Sequence, residues 1–385
     1  MTAPGAAALD HAGERFFRWL RDEAYPLWSS TGVDHKGLGF FEKIGPDGAP
    51  VRSARRARVI GRQIYCFSQA QRFGSDGPAQ DIIRHGLKAL PRFMCRDDGL
   101  VCPLVSDDGV AMEGRPDLYD QAFTLFGLAA AMPFVDDPAQ LAATAERLRG
   151  TVVAALTHPV TGFEEASPRT LPLKANPHMH MLEAALAWAD AAAAADPALW
   201  NALADQIAEL ALARFIDPAT GALHELYDGD WNRMGGDLAI VEPGHQFEWG
   251  WLLMRWGRMR SREDAVETGK RLVHIGETHG LDPARGVLFA ELHPDLSLRD
   301  PVSRLWPQTE RIKAWVLLAE NGGGDAALGK AAQGVEALMR YFRTDLPGSW
   351  FDRMTPDGAL IEEPAPASSF YHIVCAAQVL KDHDD

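Results

Sequence analysis

The residue types best suited to chemistry are concentrated in the stretch Pro243-Gly-His245-Gln-Phe-Glu248-Trp249. Pro243 and Gly244 interrupt the preceding loop and an apolar run follows, which predicts a helix whose first turn carries His245 and Glu248. Because they are three residues apart, the imidazole and the carboxylate share one helix face and form a candidate proton-transfer pair. A capping glutamate beside a core histidine is the alternative interpretation.

Polar residues recur at the starts of five other predicted helices. The series, separated by 58, 60, 65, 63 and 64 residues, is Arg62, Asp120, His180, His245, Gln308 and His372. If these helices run parallel, their first turns meet at one mouth and form a small-molecule pocket. Arg62 could equally pair with a carboxylate inside the fold. His178 and His180 cannot both face the pocket, and we assign His180, which shares a helix face with Asn176 and Glu183.

Three histidines at one mouth raise the question of a zinc site. No HExxH or paired-cysteine motif accompanies them, and neutral histidines at helix N-termini can perform acid–base chemistry without a metal. The sequence also has no Gly-rich phosphate loop, no GxSxG and no dinucleotide fingerprint. We therefore expect neither a metal nor a cofactor. Trp306, at a helix start, is either a core residue or a ring for the apolar face of a sugar.

Twelve helices are predicted to position these side chains. Apolar periodicity places them at 10–28, 53–73, 76–93, 117–133, 137–156, 176–195, 197–214, 244–260, 263–280, 307–320, 325–343 and 368–381. The connections repeat a glycine followed by apolar residues, and Gly99, Gly162, Gly221 and Gly286 lie 63, 59 and 65 residues apart. This period indicates repeated units of two helices and a short β excursion, and therefore an all-α fold of six hairpins closed into an (α/α)6 barrel.

Composition also separates two layers of helices. The helices that start near 55, 117, 176, 244, 307 and 368 are apolar around most of their circumference, so they are predicted to form the inner layer. The remaining helices, such as 137–156, carry charged faces and are predicted to form the outer layer. We expect one catalytic domain over residues 1–385.

Charge and cysteine usage restrict the partners. The formal net charge of −15 argues against nucleic acid and anionic membranes, which both require a basic surface. No apolar run approaches the ~20 residues of a membrane span, and the N-terminus has no signal pattern. The four cysteines are scattered without a CxxC motif, which is typical of a reduced, cytoplasmic protein. A homodimer remains an open option.

Six motifs can now be considered together: Gly61-Arg62-Gln63-Ile-Tyr65, Tyr119-Asp120-Gln121-Ala-Phe123, Asn176-Pro-His-Met-His180-Met-Leu-Glu183, Pro243-Gly-His245-Gln-Phe-Glu248-Trp249, Arg304-Leu-Trp306-Pro-Gln308-Thr-Glu310 and Ser369-Phe-Tyr371-His372. From about residue 15 to the C-terminus, the chain resembles the N-acylglucosamine 2-epimerase superfamily, and PGHxxEW is the specific motif. The closing Ser-Phe-Tyr-His-Ile-Val-Cys-Ala is most similar to the D-mannose isomerase branch, with sulfoquinovose isomerases as near relatives. The resemblance implies an (α/α)6 barrel and metal-independent sugar chemistry.

The resemblance also implies roles for individual residues. His245 and His372 would be the acid–base pair, and Glu248 would orient His245 and assist ring opening. The predicted substrate-binding residues are Arg62, Asn176, His180, Tyr119, Trp306 and Gln308. Some relatives place a further arginine upstream of the PGH motif, and Arg233 is the nearest candidate here.

Three classes of function remain in play. The first is an aldose–ketose isomerase that interconverts D-mannose, or a close aldose, and D-fructose through an enediolate, with a sugar 2-epimerase as its alternative. The second is a glycoside hydrolase, for which Asp120 and Glu248 are candidate carboxylates, although three histidines at the mouth argue against it. The third is a non-catalytic binding protein, which would not need catalytic-type residues at every position.

Overall fold

The computed structural model describes residues 3–37, 39–112, 114–191 and 196–384. Within these residues the helices form two concentric layers. The inner helices are α3 (Ala57–Ser68), α5 (Leu118–Ala131), α7 (Ala175–Asp190), α9 (Pro243–Arg260), α11 (Leu305–Leu318) and α13 (Ala367–Asp384). The outer helices are α1 (Pro4–Trp19), which continues through a π-turn at Leu20–Ala24 into α2 (Tyr25–Ser30), then α4 (Ala79–Ala89), α6 (Pro138–Leu156), α8 (Pro197–Leu210), α10 (Glu263–Gly280) and α12 (Gly324–Met339).

The inner helices form a closed ring. Each packs against the next along the chain, and α13 packs against both α11 and α3. Every residue of α11 is buried, whereas α6 buries a single stripe at Ala142, Ala145, Leu148, Val152 and Leu156. The predicted (α/α)6 barrel and its inner and outer layers are therefore confirmed. Composition could predict the layers because a helix that is buried on all sides must be apolar on all sides, whereas a helix buried on one side can carry charges on the other.

Several helix ends differ from the prediction by a few residues. The first helix begins at Pro4 and not at residue 10, because the carboxylate of Asp325 accepts the backbone N–H groups of Gly5 and Ala6 at 3.0 and 2.9 Å. This cap comes from α12 and cannot be seen in the local sequence. The helix predicted over 176–195 ends at Asp190 as α7, and its predicted last residues, 192–195, lie outside the described part of the chain.

Short strands connect the hairpins at one end of the barrel. They are β1 (Lys43–Ile44), β2 (Arg55–Arg56), β3 (Leu104–Val105), β4 (Leu173–Lys174), β5 (Leu226–Tyr227), β6 (Glu291–Leu292), β7 (Leu298–Asp300), β8 (Ser303–Arg304), β9 (Arg353–Met354) and β10 (Ala365–Pro366). The antiparallel pairs are β1–β10, β2–β3, β4–β5, β6–β7 and β8–β9. Strands β2, β4, β8 and β10 each lead directly into an inner helix, so the ladders position the inner N-termini. The β1–β10 pair joins the first and last excursions.

A side-chain clamp at the fourth residue of several inner helices fixes these excursions. The amide oxygen of Gln246 accepts the backbone N–H of Leu223 at 2.9 Å, and its nitrogen donates to the carbonyl of Glu242 at 3.2 Å. Gln121 bonds Val101 and Asp117 in the same way. The glycines of the sequence repeat lie just before the clamped segments, and Gly99, Gly162, Gly221 and Gly286 all have positive φ, between 71° and 80°.

His178 and Gln308 occupy the same clamp position. Nε2 of His178 accepts the N–H of Phe163 at 3.0 Å, and Nδ1 donates to the carbonyl of Lys174 at 2.9 Å. Gln308 accepts the N–H of Leu288 at 3.3 Å and donates to the carbonyl of Arg304 at 3.0 Å. Both side chains therefore fill a structural position that turns away from the barrel axis.

The first prediction concerns this clamp. Replacing His178 by alanine leaves a buried N–H and carbonyl unpaired, so His178→Ala should lower the free energy of unfolding by about 2–4 kcal/mol. His178→Gln should recover most of this loss, because glutamine makes the same two bonds at the equivalent positions of α5, α9 and α11. Urea unfolding followed by circular dichroism measures both, and equal stability of the wild type and His178→Ala would contradict the clamp.

The stabilities of the wild type and His178→Gln should also differ at acidic pH. Burial lowers the pKa of His178 from 6.5 to about 4. The unfolded chain therefore takes up a proton at this residue that the folded chain does not, and the wild type loses stability as pH falls from about 6.5 to 4. His178→Gln removes this contribution, so the difference in unfolding free energy should move in favour of the variant at pH 5.

Candidate active site

A cavity of about 190 Å³ lies at the N-terminal end of the inner ring. All inner helices or the residues just before them contribute to its wall: Arg62, Tyr119, Asn176, His180, Glu242, His245, Glu248, Arg304, Trp306, Ser368, Ser369 and His372. A larger cavity of about 690 Å³ opens at the opposite end of the barrel. We assign the chemistry to the smaller cavity, because the histidines and most of the predicted polar residues line it.

The helix starts explain which side chains reach the cavity. The sixth residue of each inner helix faces the barrel axis, and these residues are Arg62, Phe123, His180, Glu248, Glu310 and His372. The second residue faces the rim, and in four helices it lines the cavity as Tyr119, Asn176, Trp306 and Ser368. Because an inner helix turns about 100° per residue, residues two and six lie one above the other.

His245 is held by carboxylates. Its Nδ1 lies 2.8 Å from Oε2 of Glu225 and 3.7 Å from Oε2 of Glu242. Burial by itself would lower the pKa of His245, but Glu225 and Glu242 outweigh burial and raise this pKa to about 10. His245 is therefore an imidazolium at neutral pH and a proton donor. The amide of Asn176 lies 3.3 Å from Nε2, on the opposite side of the ring.

The surroundings of His372, in contrast, favour the neutral imidazole. Its Nδ1 lies 2.9 Å from Oε1 of Glu310. Burial lowers the pKa of His372, and the positive charges of Arg62 and Lys313 oppose the effect of Glu310. A neutral imidazole that donates its Nδ1–H to Glu310 leaves an unprotonated Nε2, the form required of a general base.

A third histidine, His180, is contributed by α7. Nδ1 of His180 is 3.3 Å from Oε2 of Glu183, which also accepts a hydrogen bond from the hydroxyl of Tyr371. Burial lowers the pKa of His180 to about 3, despite the carboxylate of Glu183. His180 is therefore neutral, and it is suited to binding a hydroxyl group. Its ring packs edge-on against Tyr119, with ring centres 5.0 Å apart.

Glu248 is a buried carboxyl group beside another carboxylate. Burial, together with Glu310, raises its pKa well above the usual range. Oε1 of Glu248 lies 3.9 Å from Nδ1 of His180, and Oε2 has no hydrogen-bond partner among the described residues. A protonated carboxyl group at this position can donate to a ligand oxygen, as a neutral acid in an apolar site does.

The ring of Trp306 lies between those of His245 and His372. Its ring centre lies 4.9 Å from that of His245 and 5.6 Å from that of His372. The glycine of the PGH motif makes room for it, because a Cβ at Gly244 would lie 2.5 Å from the Trp306 ring. Arg62 donates a hydrogen bond of 2.7 Å to the hydroxyl of Tyr119, and its guanidinium carbon lies 4.0 Å from the centre of the Phe123 ring.

Three sequence predictions do not fit the cavity. Gln308 was expected to bind substrate, but the clamp to Leu288 places it away from the cavity wall. Asp120 was expected at the mouth but is fully buried and paired with Arg58 at 2.7 Å. Arg233, whose reach was left open, lies 3.5 Å from Asp217 and not in the cavity wall. The other predicted site residues line the cavity together.

Several residues of the site were not assigned from the sequence. Glu225 lies in an excursion, next to β5, and no local signal connects it with His245. Glu310 is part of the Trp306-Pro-Gln308-Thr-Glu310 motif, but its equivalence to Glu248 as the sixth residue of its helix becomes visible only once the helix starts are known. Glu242, Arg304, Ser368 and Ser369 precede or begin inner helices, where polar residues can also be caps.

Histidine and carboxylate atoms come close enough for metal binding in three groups: His180 with Glu183 and Glu248, His245 with Glu225 and Glu242, and His372 with Glu248 and Glu310. In each group Nδ1 already pairs with a carboxylate. The ammonium group of Lys313 additionally lies 2.7 Å from Glu310. Each histidine therefore already has a carboxylate partner at Nδ1, and the charges of these partners contribute to the protonation states given above.

Comparison with known proteins agrees with this geometry. A family model described as N-acylglucosamine 2-epimerase matches residues 39–376. The chain belongs to this family, and it is a sugar isomerase or epimerase. A protein of Rhizobium meliloti (strain 1021) named mannose-6-phosphate isomerase is 43% identical over 371 residues, which cover 94% of this chain and 95% of that protein.

Solved structures share the fold at lower identity. A D-mannose isomerase superposes with a TM-score of 0.83 at 20% identity, over 95% of this chain and 97% of that one. A cellobiose 2-epimerase from Spirochaeta thermophila DSM 6192 superposes with a TM-score of 0.84 at 19% identity, over 98% and 97% of the two chains. No described helix has both the length and the apolar character needed to cross a lipid bilayer.

The second prediction tests the state of His245. In Glu225→Gln the carboxylate beside Nδ1 is lost and burial is less opposed, so the pKa of His245 should fall by at least about one unit. Histidine NMR titration measures it, with the resonance assigned by its loss in His245→Asn. Glu165→Gln is the matched control, because Glu165 is a buried carboxylate paired with Lys174 and is not bonded to His245. An unshifted titration in Glu225→Gln would contradict the assignment.

Proposed function

We propose that the protein is an aldose–ketose isomerase that interconverts D-mannose, or a close aldose, and D-fructose through an enediolate. The observation that carries the proposal is one small cavity lined by two histidines with different surroundings: Glu225 and Glu242 lie beside His245 and favour its protonated form, whereas burial favours the neutral form of His372 beside Glu310. Moving hydrogen between C2 and C1 requires a base near neutral pKa and donors for the oxygens that become negative. The cavity provides both, in a space suited to one sugar ring.

The proposed steps assign one task to each group. The protonated carboxyl group of Glu248 donates to the ring oxygen and assists opening of the sugar. Nε2 of His372 then removes the C2 proton, and the electron pair forms the C1–C2 double bond of the enediolate. The same nitrogen returns the proton to C1, while the imidazolium of His245 gives a proton to O1 and then takes the proton of O2 as the C2 ketone forms. A single base on one face is sufficient for an isomerase.

The remaining groups stabilise the negative oxygens. The imidazolium of His245 donates from Nε2 to the oxygen that gains charge as the proton leaves carbon. Arg62 lies in the same ring of side chains as His372 and adds positive charge there. Asn176 and His180 bind hydroxyl groups, and Trp306 offers its ring to the apolar face of the sugar. The N-termini of the inner helices contribute further positive potential.

A 2-epimerase is the alternative within the same family. It must return a proton to C2 from the opposite face of the enediolate, which needs a second proton carrier. His245 and His372 lie on either side of Trp306, so the site does not exclude this chemistry. The branch-specific similarity of the closing helix supports the isomerase.

The third prediction assigns the proton carriers. His372→Asn and His245→Asn should each lower kcat for D-mannose by ~10²–10⁴, as expected for the loss of a general base or acid, with an unchanged circular dichroism spectrum. Product formation is followed by NMR in D2O with EDTA present, because we expect no metal requirement. His178→Gln is the control and should keep the wild-type kcat. Near-normal kcat in either asparagine variant would make His180 the next candidate.

Label position in the same experiment separates the two chemistries. An isomerase gives D-fructose with any solvent deuterium at C1, whereas a 2-epimerase gives D-glucose with deuterium at C2. Glucose as the sole product would replace the isomerase by the epimerase. Loss of activity in EDTA that one divalent ion restores would overturn the metal-independent mechanism.

The name of the Rhizobium meliloti relative raises the question of a phosphorylated substrate. A phosphate dianion needs cations that are not already neutralised. Arg304 at the rim is bonded to Asp352 at 3.0 Å, and Arg62 lies at the depth of the reacting carbons. Glu242 adds a carboxylate to the same wall. These charges favour an unmodified sugar.

The fourth prediction follows from this charge distribution. kcat/KM for D-mannose should exceed that for D-mannose 6-phosphate by at least about tenfold, because desolvating an unpaired dianion costs more than the ~1.4 kcal/mol that corresponds to this factor. Both sugars are compared at the same pH and ionic strength. Equal or faster turnover of the phosphate would reject the unmodified substrate, and it would leave the His372 mechanism to be tested with the phosphorylated sugar.

A further inference from the structure

A second ring of side chains lies beneath the cavity. It consists of the ninth residue of each inner helix: Tyr65, Phe126, Glu183, Trp251, Lys313 and Cys375. All of them line the larger cavity at the C-terminal end of the barrel. Glu183 and Lys313 are the charged members of this ring. Since residues six and nine of a helix are neighbours, each of them contacts a residue of the ring above.

Lys313 is joined to the proposed base through one carboxylate. Its Nζ lies 2.7 Å from Oε2 of Glu310, and both side chains are fully buried. The other oxygen, Oε1, is 2.9 Å from Nδ1 of His372. Nζ also lies 4.2 Å from the centre of the Trp251 ring, an apolar wall that keeps water from the ammonium group. The three groups form a chain from the second ring to the active site.

We propose that Lys313 is a positioning residue for His372, which acts through Glu310 to keep the imidazole neutral with its proton on Nδ1. The inference rests on the proposed function in one respect, that His372 is the base. Arg311, another cationic residue of α11, does not take part in this chain of contacts, because it faces the outer layer and pairs with Glu277.

The charge balance explains why a lysine is needed. With Lys313 positive and Glu310 negative, a neutral His372 leaves the buried group without net charge. When the lysine charge is removed, the same neutrality is reached by adding a proton to His372, because an isolated negative charge in an apolar interior is costly. A protonated His372 cannot accept the C2 proton. Lys313 therefore offsets the negative charge with which Glu310 would otherwise raise the pKa of His372, the base that Glu310 orients.

Among the other groups that face His372, Arg62 adds a second positive charge that opposes Glu310, but Lys313 is the cation paired with the Glu310 carboxylate. From α3, Arg62 bonds Tyr119, and from α7, Nδ1 of His180 pairs with Glu183. From α9, Glu248 lies beside Glu310 and His372, and burial raises its pKa well above the usual range.

On α13 itself, burial raises the pKa values of Tyr371 and Cys375, which keeps both groups neutral. Burial also raises the pKa of Glu310, but Lys313 and His372 outweigh this effect and lower it to about 2.

The fifth prediction is made for Lys313→Met, which keeps the length of the side chain and its contact with Trp251. The pKa of His372, measured by histidine NMR and assigned with His372→Asn, should rise by at least about one unit. The acid limb of the kcat–pH profile should move up by the same amount. At pH 7, kcat should fall while KM changes by less than about twofold, and kcat should recover as pH is raised.

Two further variants separate this role from a structural one. Phe126→Leu alters the same ring without a change in charge, so it should lower the melting temperature and leave the pH profile in place. The double variant Glu310→Gln, Lys313→Met removes both charges, and its acid limb should lie at or below that of the wild type. If Lys313→Met fails to fold, the double variant can still be measured, because it buries neither the Lys313 charge nor an unpaired Glu310 charge.

The outcomes distinguish this inference from the proposed function. A folded Lys313→Met whose His372 titration and acid limb match the wild type overturns the role of Lys313, as does a raised acid limb in the double variant. Near-normal kcat in His372→Asn overturns the proposed function instead. In that case the NMR titration of Lys313→Met still reports whether the lysine controls the protonation of His372.

Discussion

The site depends on the inner helices beginning at the same level. Backbone excursions between the hairpins would otherwise leave buried N–H and carbonyl groups without partners, and the clamp residues at the fourth helical position satisfy them. The side chains of Gln121, His178, Gln246 and Gln308 each bond both the excursion and the residue before the helix. Because the clamp fixes where each helix starts, it also fixes which side chains reach the axis two residues later.

The three histidines of the cavity make the same type of contact but differ in protonation. His180, His245 and His372 each direct Nδ1 to a glutamate, yet only His245 is held protonated. Two carboxylates face His245, whereas the positive charges of Arg62 and Lys313 offset Glu310 at His372. In a buried site the balance of whole charges outweighs the hydrogen bond itself, since few water molecules screen it. A barrel with a closed axis can maintain such a balance because its charged groups are shielded from solvent.

This arrangement has an energetic cost. Buried pairs such as Lys313–Glu310 rarely stabilise a fold more than well-packed apolar side chains would, because the desolvation penalty of two ions offsets their attraction. The surrounding ring of Trp251, Phe126 and Tyr65 supplies the apolar packing that tolerates it. The charges are therefore better explained by the chemistry of the cavity than by stability.

Much of the architecture could be predicted from the sequence, because it follows from composition and period. All-round apolar helices must lie inside, and a repeat of about 60 residues requires hairpins that close on one another. The PGHxxEW motif likewise placed His245 and Glu248 on one helix face. Short β excursions were expected, but the bounds of strands of two or three residues could not be predicted. The start of α1 depends on Asp325, which is 320 residues from the Gly5 N–H that it accepts.

The tertiary structure decided the rotation of each helix and the charge of each histidine. Spacing of about 60 residues could not distinguish Gln308 from Glu310, yet two residues on a helix differ by about 200° in direction, and only the latter reaches the axis. Glu225 lies 20 residues from His245, and Glu310 lies 62 residues from His372. The sequence determined which side chains are available for proton transfer. Their protonation was decided by the fold, because it depends on charges that approach within a few ångströms only when the ring closes.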